Sequence, residues 1–222
     1  MIALFALLAS SNASAQEPVD IGVVQQSDVR VVQRLLYPKD GRTEMGLHVG
    51  WMPFDALLTT PNLAFSFTKH TSEEFGLGAW GQAGYGIANG RLHELQSPSF
   101  GVTAEAYRYL ASVGAGVEWS PIYAKMTTNG KRIWHYDVFA IARGGASLGS
   151  SIIPGGGIAV APMAELGVGT RVFTSQNAAV RVGLTDAVLL EHRKLTDSTY
   201  LTQHVNVTIG IAALSPAKSK GK

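Results

Sequence analysis

The stretch Gln203-His204-Val205-Asn206-Val207-Thr208-Ile209-Gly210-Ile211-Ala212-Ala213 decides the fold. From Val205 on every odd position is apolar, while the even ones read Asn, Thr, Gly and Ala. A strand turns successive side chains to opposite faces, so one face here is greasy and the other is not. The same pattern recurs from Gly41 to Ser215, parted by Gly, Pro, Asn and Ser turns, and this is how a transmembrane β-barrel is written. Eight runs qualify, near residues 43–52, 62–70, 74–85, 112–120, 133–146, 159–173, 178–190 and 201–214. Eight is even, so an up-and-down closure leaves no unpaired edge in lipid. The expectation is an all-β, eight-stranded antiparallel up-and-down barrel over residues 43–214.

The flanking segments place it. Residues 1–15 read as a secretory signal, with an apolar run from Ile2 to Ala9 and the small-x-small site Ala13-Ser14-Ala15. A basic n-region is missing, the first basic residue being Arg30, which points to a true start upstream of Met1 or a truncated record. No stretch reaches the ~18–20 apolar residues of a membrane helix. Residues 16–42 form a pre-barrel segment: Ser27-Asp28 would cap a short helix through Leu36, and Tyr37-Pro38-Lys39-Asp40-Gly41 ends it. Plugging the barrel mouth and lying in the periplasm both stay open for it. The tail 215–222 is polar and reads as disordered.

Composition excludes several functions. Charged residues make up only 15%, against about 25% in soluble domains, and glycine is abundant at 25 residues. With no cysteine there is neither a disulfide nor a thiolate metal site. A net charge of +2, with its Lys and Arg dispersed, offers no nucleic-acid surface.

Alternation alone does not separate a membrane barrel from a lipocalin-like cup with a greasy interior. The polar parity does. It collects Glu44, His48, Glu118, His135, Asp137, Arg143, Glu165, Arg171, Arg181 and His204 among many glycines, and it is poor in Lys. A solvated outer face would carry more Lys and Glu, whereas a narrow lumen needs small residues and charges that neutralise one another. Glu118, Asp137 and Glu165 against Arg143, Arg171 and Arg181 are expected to form that neutral network. The opposite parity holds Met45, Leu47, Val49, Leu63, Phe65, Phe67, Val182, Leu184, Val207 and Ile209, which would face lipid. Trp51, Phe75, Trp119, Tyr123, Trp134, Tyr136 and Phe173 fall near strand ends, where an interfacial girdle belongs. Trp80 departs, since its parity turns it inward. The connections alternate short (near 71–72, 127–131 and 175–177) with long (53–61, 86–111, 148–157 and 191–200), as in membrane barrels. Within the longest, residues 103–110 read equally as helix or as strand extension.

Four runs carry a family resemblance: Val31-Val32-Gln33-Arg34-Leu35-Leu36-Tyr37-Pro38-Lys39-Asp40-Gly41-Arg42-Thr43-Glu44, Glu118-Trp119-Ser120-Pro121-Ile122-Tyr123-Ala124-Lys125, His135-Tyr136-Asp137-Val138-Phe139 and Gly167-Val168-Gly169-Thr170-Arg171-Val172-Phe173. Together they resemble a family of small outer-membrane β-barrel proteins of myxobacteria and related deltaproteobacteria. The resemblance implies an outer-membrane location, no catalytic residue, and, for some relatives, a place in the gliding-motility machinery. One departure is the end of the last strand at Leu214, where most outer-membrane barrels finish on an aromatic.

Chemical motifs are weak. Gly76-Leu77-Gly78-Ala79-Trp80-Gly81 spells a dinucleotide fingerprint but lacks the βαβ unit that would give it meaning. Gly155-Gly156-Gly157 lacks the Lys-Ser/Thr of a phosphate loop. A His with a carboxylate in the lumen would make a general base or part of a metal site, yet a polar lumen needs such groups in any case. Some lipid deacylases carry His and Ser two apart on the last strand; here the partner of His204 is Asn206, which is no nucleophile. Eight strands leave an interior that side chains fill, so transport is not expected. The reading is a non-enzymatic envelope component without cofactor, contacting outer-membrane lipids, the barrel-assembly machinery, and periplasmic or outer-membrane proteins. A narrow channel and a lipid-modifying enzyme are the alternatives.

Overall fold

The structure is a computed structural model that describes residues 36–55, 57–101, 105–128, 132–153, 155–193 and 197–216. The signal-peptide reading, residues 16–35 of the pre-barrel segment with their helix, and the tail from 217 on lie outside the described residues. The elements are β1 (Thr43–Met52), β2 (Leu58–His70), β3 (Phe75–Gly84), β4 (Ile87–Ala88), α1 (Gly90–Leu95), β5 (Tyr107–Thr128), β6 (Arg132–Ser151), β7 (Ile158–Ser175), β8 (Ala178–Arg193) and β9 (Ser198–Leu214). Eight of the strands form a ring in which each pairs antiparallel with its neighbours and β1 closes on β9. The two-residue β4 continues β3 along the start of β2, in the same register. The chain is an eight-stranded antiparallel up-and-down transmembrane β-barrel.

Register fixes the geometry. The row from Gly46 runs through Ser66, Trp80, Gly114, Gly145, Met163 and Leu189 to Thr202, ten residues from Ala212, the partner of Gly46 across the seam. Eight strands with a stagger of that size tilt by about 35–45° from the barrel axis. The outer face is apolar and open to the surroundings: Leu47, Val49, Leu63, Phe65, Val113, Leu166, Val168, Leu184, Ile209 and Ile211 are all exposed. The inner face is polar and closed, with Glu44, Asp137 and Arg171 essentially inaccessible. A soluble cup would show the reverse, so this barrel is inside-out and its outer wall requires hydrocarbon.

The strands are longer than the sequence pattern suggested. β5 begins at Tyr107, so residues 107–110 extend a strand rather than a helix, and it pairs with β6 as far as Thr128. The helix of the long connection lies earlier, at Gly90–Leu95, capped by the Asn89 side chain, which accepts from Leu92 N–H. β2 begins at Leu58 and contains Pro61, so the strand runs into the stretch 53–61 whose prolines suggest a loop.

Two of the expected girdle aromatics are corrected. Phe173 is buried, because the same parity that turns Arg171 inward turns Phe173 inward two residues on. Tyr123 also faces inward, packed against Phe173, because a register shift between Trp119 and Ile122 inserts an extra residue and reverses the alternation. Trp51, Phe75 and Trp119 stand on the outer face, half exposed, with the Phe75 and Trp119 rings stacked at 6.4 Å. Trp134 and Tyr136 share that face on β6, opposite in parity to the buried His135 and Asp137. Trp80 points inward, into an apolar layer with Ala161, Met163, Ala187 and Leu189 beneath the long loops.

Candidate functional site

The lumen holds one charged cluster, assembled from six strands and the segment that precedes them. Arg171 on β7 is fully enclosed and reaches three carboxylates. Its Nη1 donates to Asp137 Oδ2 at 2.8 Å and its Nη2 to Glu118 Oε1, while Nε lies 3.0 Å from Glu44 Oε2 without hydrogen-bond geometry. Arg181 on β8 donates to Glu44 Oε1 and, at 2.6 Å, to Glu118 Oε2. Arg171 and Arg181 are direct cross-strand partners, a placement that Glu44 and Glu118 make tenable by bridging both guanidinium groups. Lys39 Nζ meets Asp137 Oδ2 at 2.5 Å, and His70 Nε2 lies 3.2 Å from Glu44 Oε2. Three carboxylates thus face three cations, the balance that lets ions stay out of water. Phe139 supports them from the middle of the barrel, its ring 4.3 Å from Arg181 Cζ and 5.5 Å from Arg171 Cζ. Gly169 gives that ring its place, since a Cβ there would also fall 2.5 Å from the Val182 carbonyl.

The membership differs from the sequence expectation. Arg143 and Glu165 oppose each other on β6 and β7 but touch only at 3.9 Å, apart from the cluster, with Arg143 lying over the Trp80 ring at 5.5 Å. Glu44 and Lys39 take their places in the neutral set. Lys39 escaped a reading based on strand parity because it precedes the first strand, and His70 because it ends one; only the inward phase of Thr68 two residues earlier signals it.

Above the cluster the lumen is hydrogen-bonded side chain to side chain. His48 Nε2 pairs with Ser66 Oγ at 2.9 Å, Asn62 donates to Asn206 at 3.0 Å, and Asn206 donates to Gln82 at 3.1 Å. Among the described pockets, the one in mid-barrel has a volume of about 50 Å³, enough for a few waters. The three predicted lumen histidines stay apart: His48 on Ser66, His135 edge-on to Tyr37 at 5.1 Å, His204 edge-on to Tyr109 at 6.0 Å. Among the described residues no three His, Asp or Glu side chains gather in a way that would hold a metal.

The turn end is sealed by residues 36–42. Tyr37 stacks on Phe173 at 5.1 Å, nearly parallel, beside Tyr123. Lys39 enters the lumen, its own backbone N–H held by Glu73 at 2.8 Å. Burial pushes its ammonium below the ordinary lysine value, against the pull of Asp137. Arg42 donates to the carbonyls of Pro38, Gln176, Leu214 and Ser215 and to Asn177 Oδ1. Replacing Lys39 by Met, which keeps the stem and removes the charge, is expected to cost about 1–3 kcal/mol, because Asp137 loses a charged donor but keeps Arg171. Urea titration of the folded barrel in detergent measures it, and an unchanged midpoint would refute the role given to Lys39.

No family model matches the chain, and no curated protein matches it significantly. Among solved structures, Neisserial surface protein A overlaps 78% of this chain and 95% of its own, with a TM-score of 0.49 and 8% identity. The N-terminal β-barrel domain of Pseudomonas aeruginosa OprF overlaps 79% and 98%, with a TM-score of 0.47 and 11% identity. Ail, the attachment invasion locus protein of Yersinia pestis, overlaps 79% and 99%, with a TM-score of 0.42 and 11% identity. Likeness at this level adds nothing to the ring and its register, which define the class by themselves.

Proposed function

We propose that this barrel sits in the outer membrane as a non-enzymatic, non-conducting component of the cell envelope, acting through its rims and long loops. The observation that carries the reading is the blocked lumen: a neutral ionic cluster spans it, and Tyr37, Lys39 and Arg42 close the turn end. Asn206, bound to Asn62 and Gln82, occupies the position where a deacylase-like nucleophile would stand. The contacts proposed are lipids along the apolar wall, the barrel-assembly machinery during insertion, and periplasmic or outer-membrane proteins at the two ends. A trans-envelope assembly of the gliding-motility kind is the finer form of this proposal, and it rests on the sequence resemblance alone.

Purified protein reconstituted into planar bilayers is expected to give no single-channel steps. Reproducible unitary currents would overturn the non-conducting reading. A shift in lipid A mass on overexpression, lost with His204→Ala, would overturn the non-enzymatic one.

A further inference from the structure

The wall of the barrel is split at the loop end. β7 pairs with β8 only from Met163, opposite Leu189, down to the turn. Beyond that pair residues 158–162 stay on β6 and residues 190–193 stay on β9, so the two hairpins part and each shows the other a strand edge. Pro162 stands where the ladder would continue onto Leu190, and a proline has no N–H to give to it. A cavity of about 190 Å³ occupies the split, larger than the ~150 Å³ apolar cavity that admits benzene. Its lining takes Ile158, Ala159, Val160 and Ala161 in unbroken succession. Successive side chains of a strand face opposite ways, so one cavity reaches all four only where the wall is open at their edge. Ile158 and Val160 stand exposed on the outer face, while Ala161, Leu189 and Tyr107 are buried on the lumen side.

We propose that this split is a lateral binding site for one acyl chain of a membrane lipid, entering from the apolar wall between Val160 and Leu190 and ending against Leu189 and Tyr107. It rests on the membrane position of the barrel argued above. The polar side chains that line the cavity are engaged elsewhere: Ser147 donates to the Ala111 carbonyl at 3.5 Å, Glu191 accepts from Thr202 Oγ1 at 2.9 Å, and His192 Nε2 lies 3.4 Å from Asp197 Oδ1. A water there would lack the polar partners it needs, whereas an apolar chain recovers the dispersion contacts that an empty cavity forfeits. The edges also suit a lipid better than an added peptide strand, which needs a row of free donors and acceptors. Pro162 has no donor, and the Tyr107 hydroxyl already donates to the His192 carbonyl at 3.1 Å.

The test uses folded protein in phosphatidylcholine vesicles containing a phospholipid with a diazirine near the end of one acyl chain; after illumination the adducts are mapped by mass spectrometry. Adducts are expected on the lumen-side residues Tyr107, Ala159 and Ala161 as well as on outward Val160 and Val168, with Ser66, inward on β2, unlabelled. Ala159→Phe, which fills the cavity, should remove the label from Tyr107 and Ala161 and spare Val168. If that variant fails to fold, the map of the unaltered protein decides alone. Adducts confined to outward residues would overturn the acyl site and leave the split to a peptide strand. Label on Ser66 equal to that on Ala161, or inward label untouched by Ala159→Phe, would overturn it as well. Label missing from both Val160 and Val168 would refute the membrane position on which the site depends.

Discussion

Arg171→Ala is expected to destabilise the barrel by about 3–5 kcal/mol, or to prevent its folding, because it strands buried carboxylates on three different strands. Glu44, Glu118 and Asp137 all depend on that one guanidinium, and neither Arg181 nor Lys39 reaches all three. Arg143→Ala serves as the comparison. Its guanidinium touches one carboxylate at 3.9 Å and is partly accessible, so its loss should be much smaller. Equilibrium urea unfolding in detergent, followed by tryptophan fluorescence and by the gel mobility of the folded form, ranks the two. Equal midpoints would show that the cluster is no more than filling.

The second large effect is on the other face. Val207 lies in the outward apolar run of β9, between Val205 and Ile209, and is exposed. Val207→Arg should cost about 2–4 kcal/mol if that position lies near the bilayer midplane, because the charge would face hydrocarbon. Thr185→Ala, at a buried lumen position beside the small cavity, should cost clearly less. The measurement is folding free energy into lipid vesicles, where wall and lumen positions part; in a soluble barrel the Arg would be harmless and the ranking would invert.

These expectations separate what period-two alternation encodes from what it does not. The runs around Val205 and Val182 show strand and face, since each residue's side is set by its neighbour's. Arg171, Arg181, Asp137 and Glu118 are legible for the same reason. Phe173 is an instructive failure, because its aromatic character suggested a girdle while its phase with Arg171 put it inside, and phase prevailed. Tyr123 was beyond that rule, as a one-residue bulge near Pro121 leaves no mark in the alternation. Lys39 was missed for a different reason: a residue outside any strand has no parity, and only the three-dimensional return of residues 36–42 under the barrel brings it to Asp137. Asp186 breaks the apolar phase of β8 in plain view of the sequence, while the Gln203 that donates to it is brought beside it only by the pairing of β8 with β9.

The seam between β1 and β9 bears on how the molecule comes into being. Glu44 pairs with Leu214, so ring closure is the most distant strand pairing among the described residues and carries the largest loop-closure entropy of them. Until it forms, a curled sheet presents two raw edges to the bilayer, the condition under which barrels stall or pair with strangers. Arg42 sits at that juncture, and four of its five acceptors, on Gln176, Asn177, Leu214 and Ser215, belong to the last third of the polypeptide. It therefore has little to hold while early hairpins assemble and gains its partners as the final strand arrives. Its bonds act as a catch on the finished ring, resisting reopening more than they speed closing.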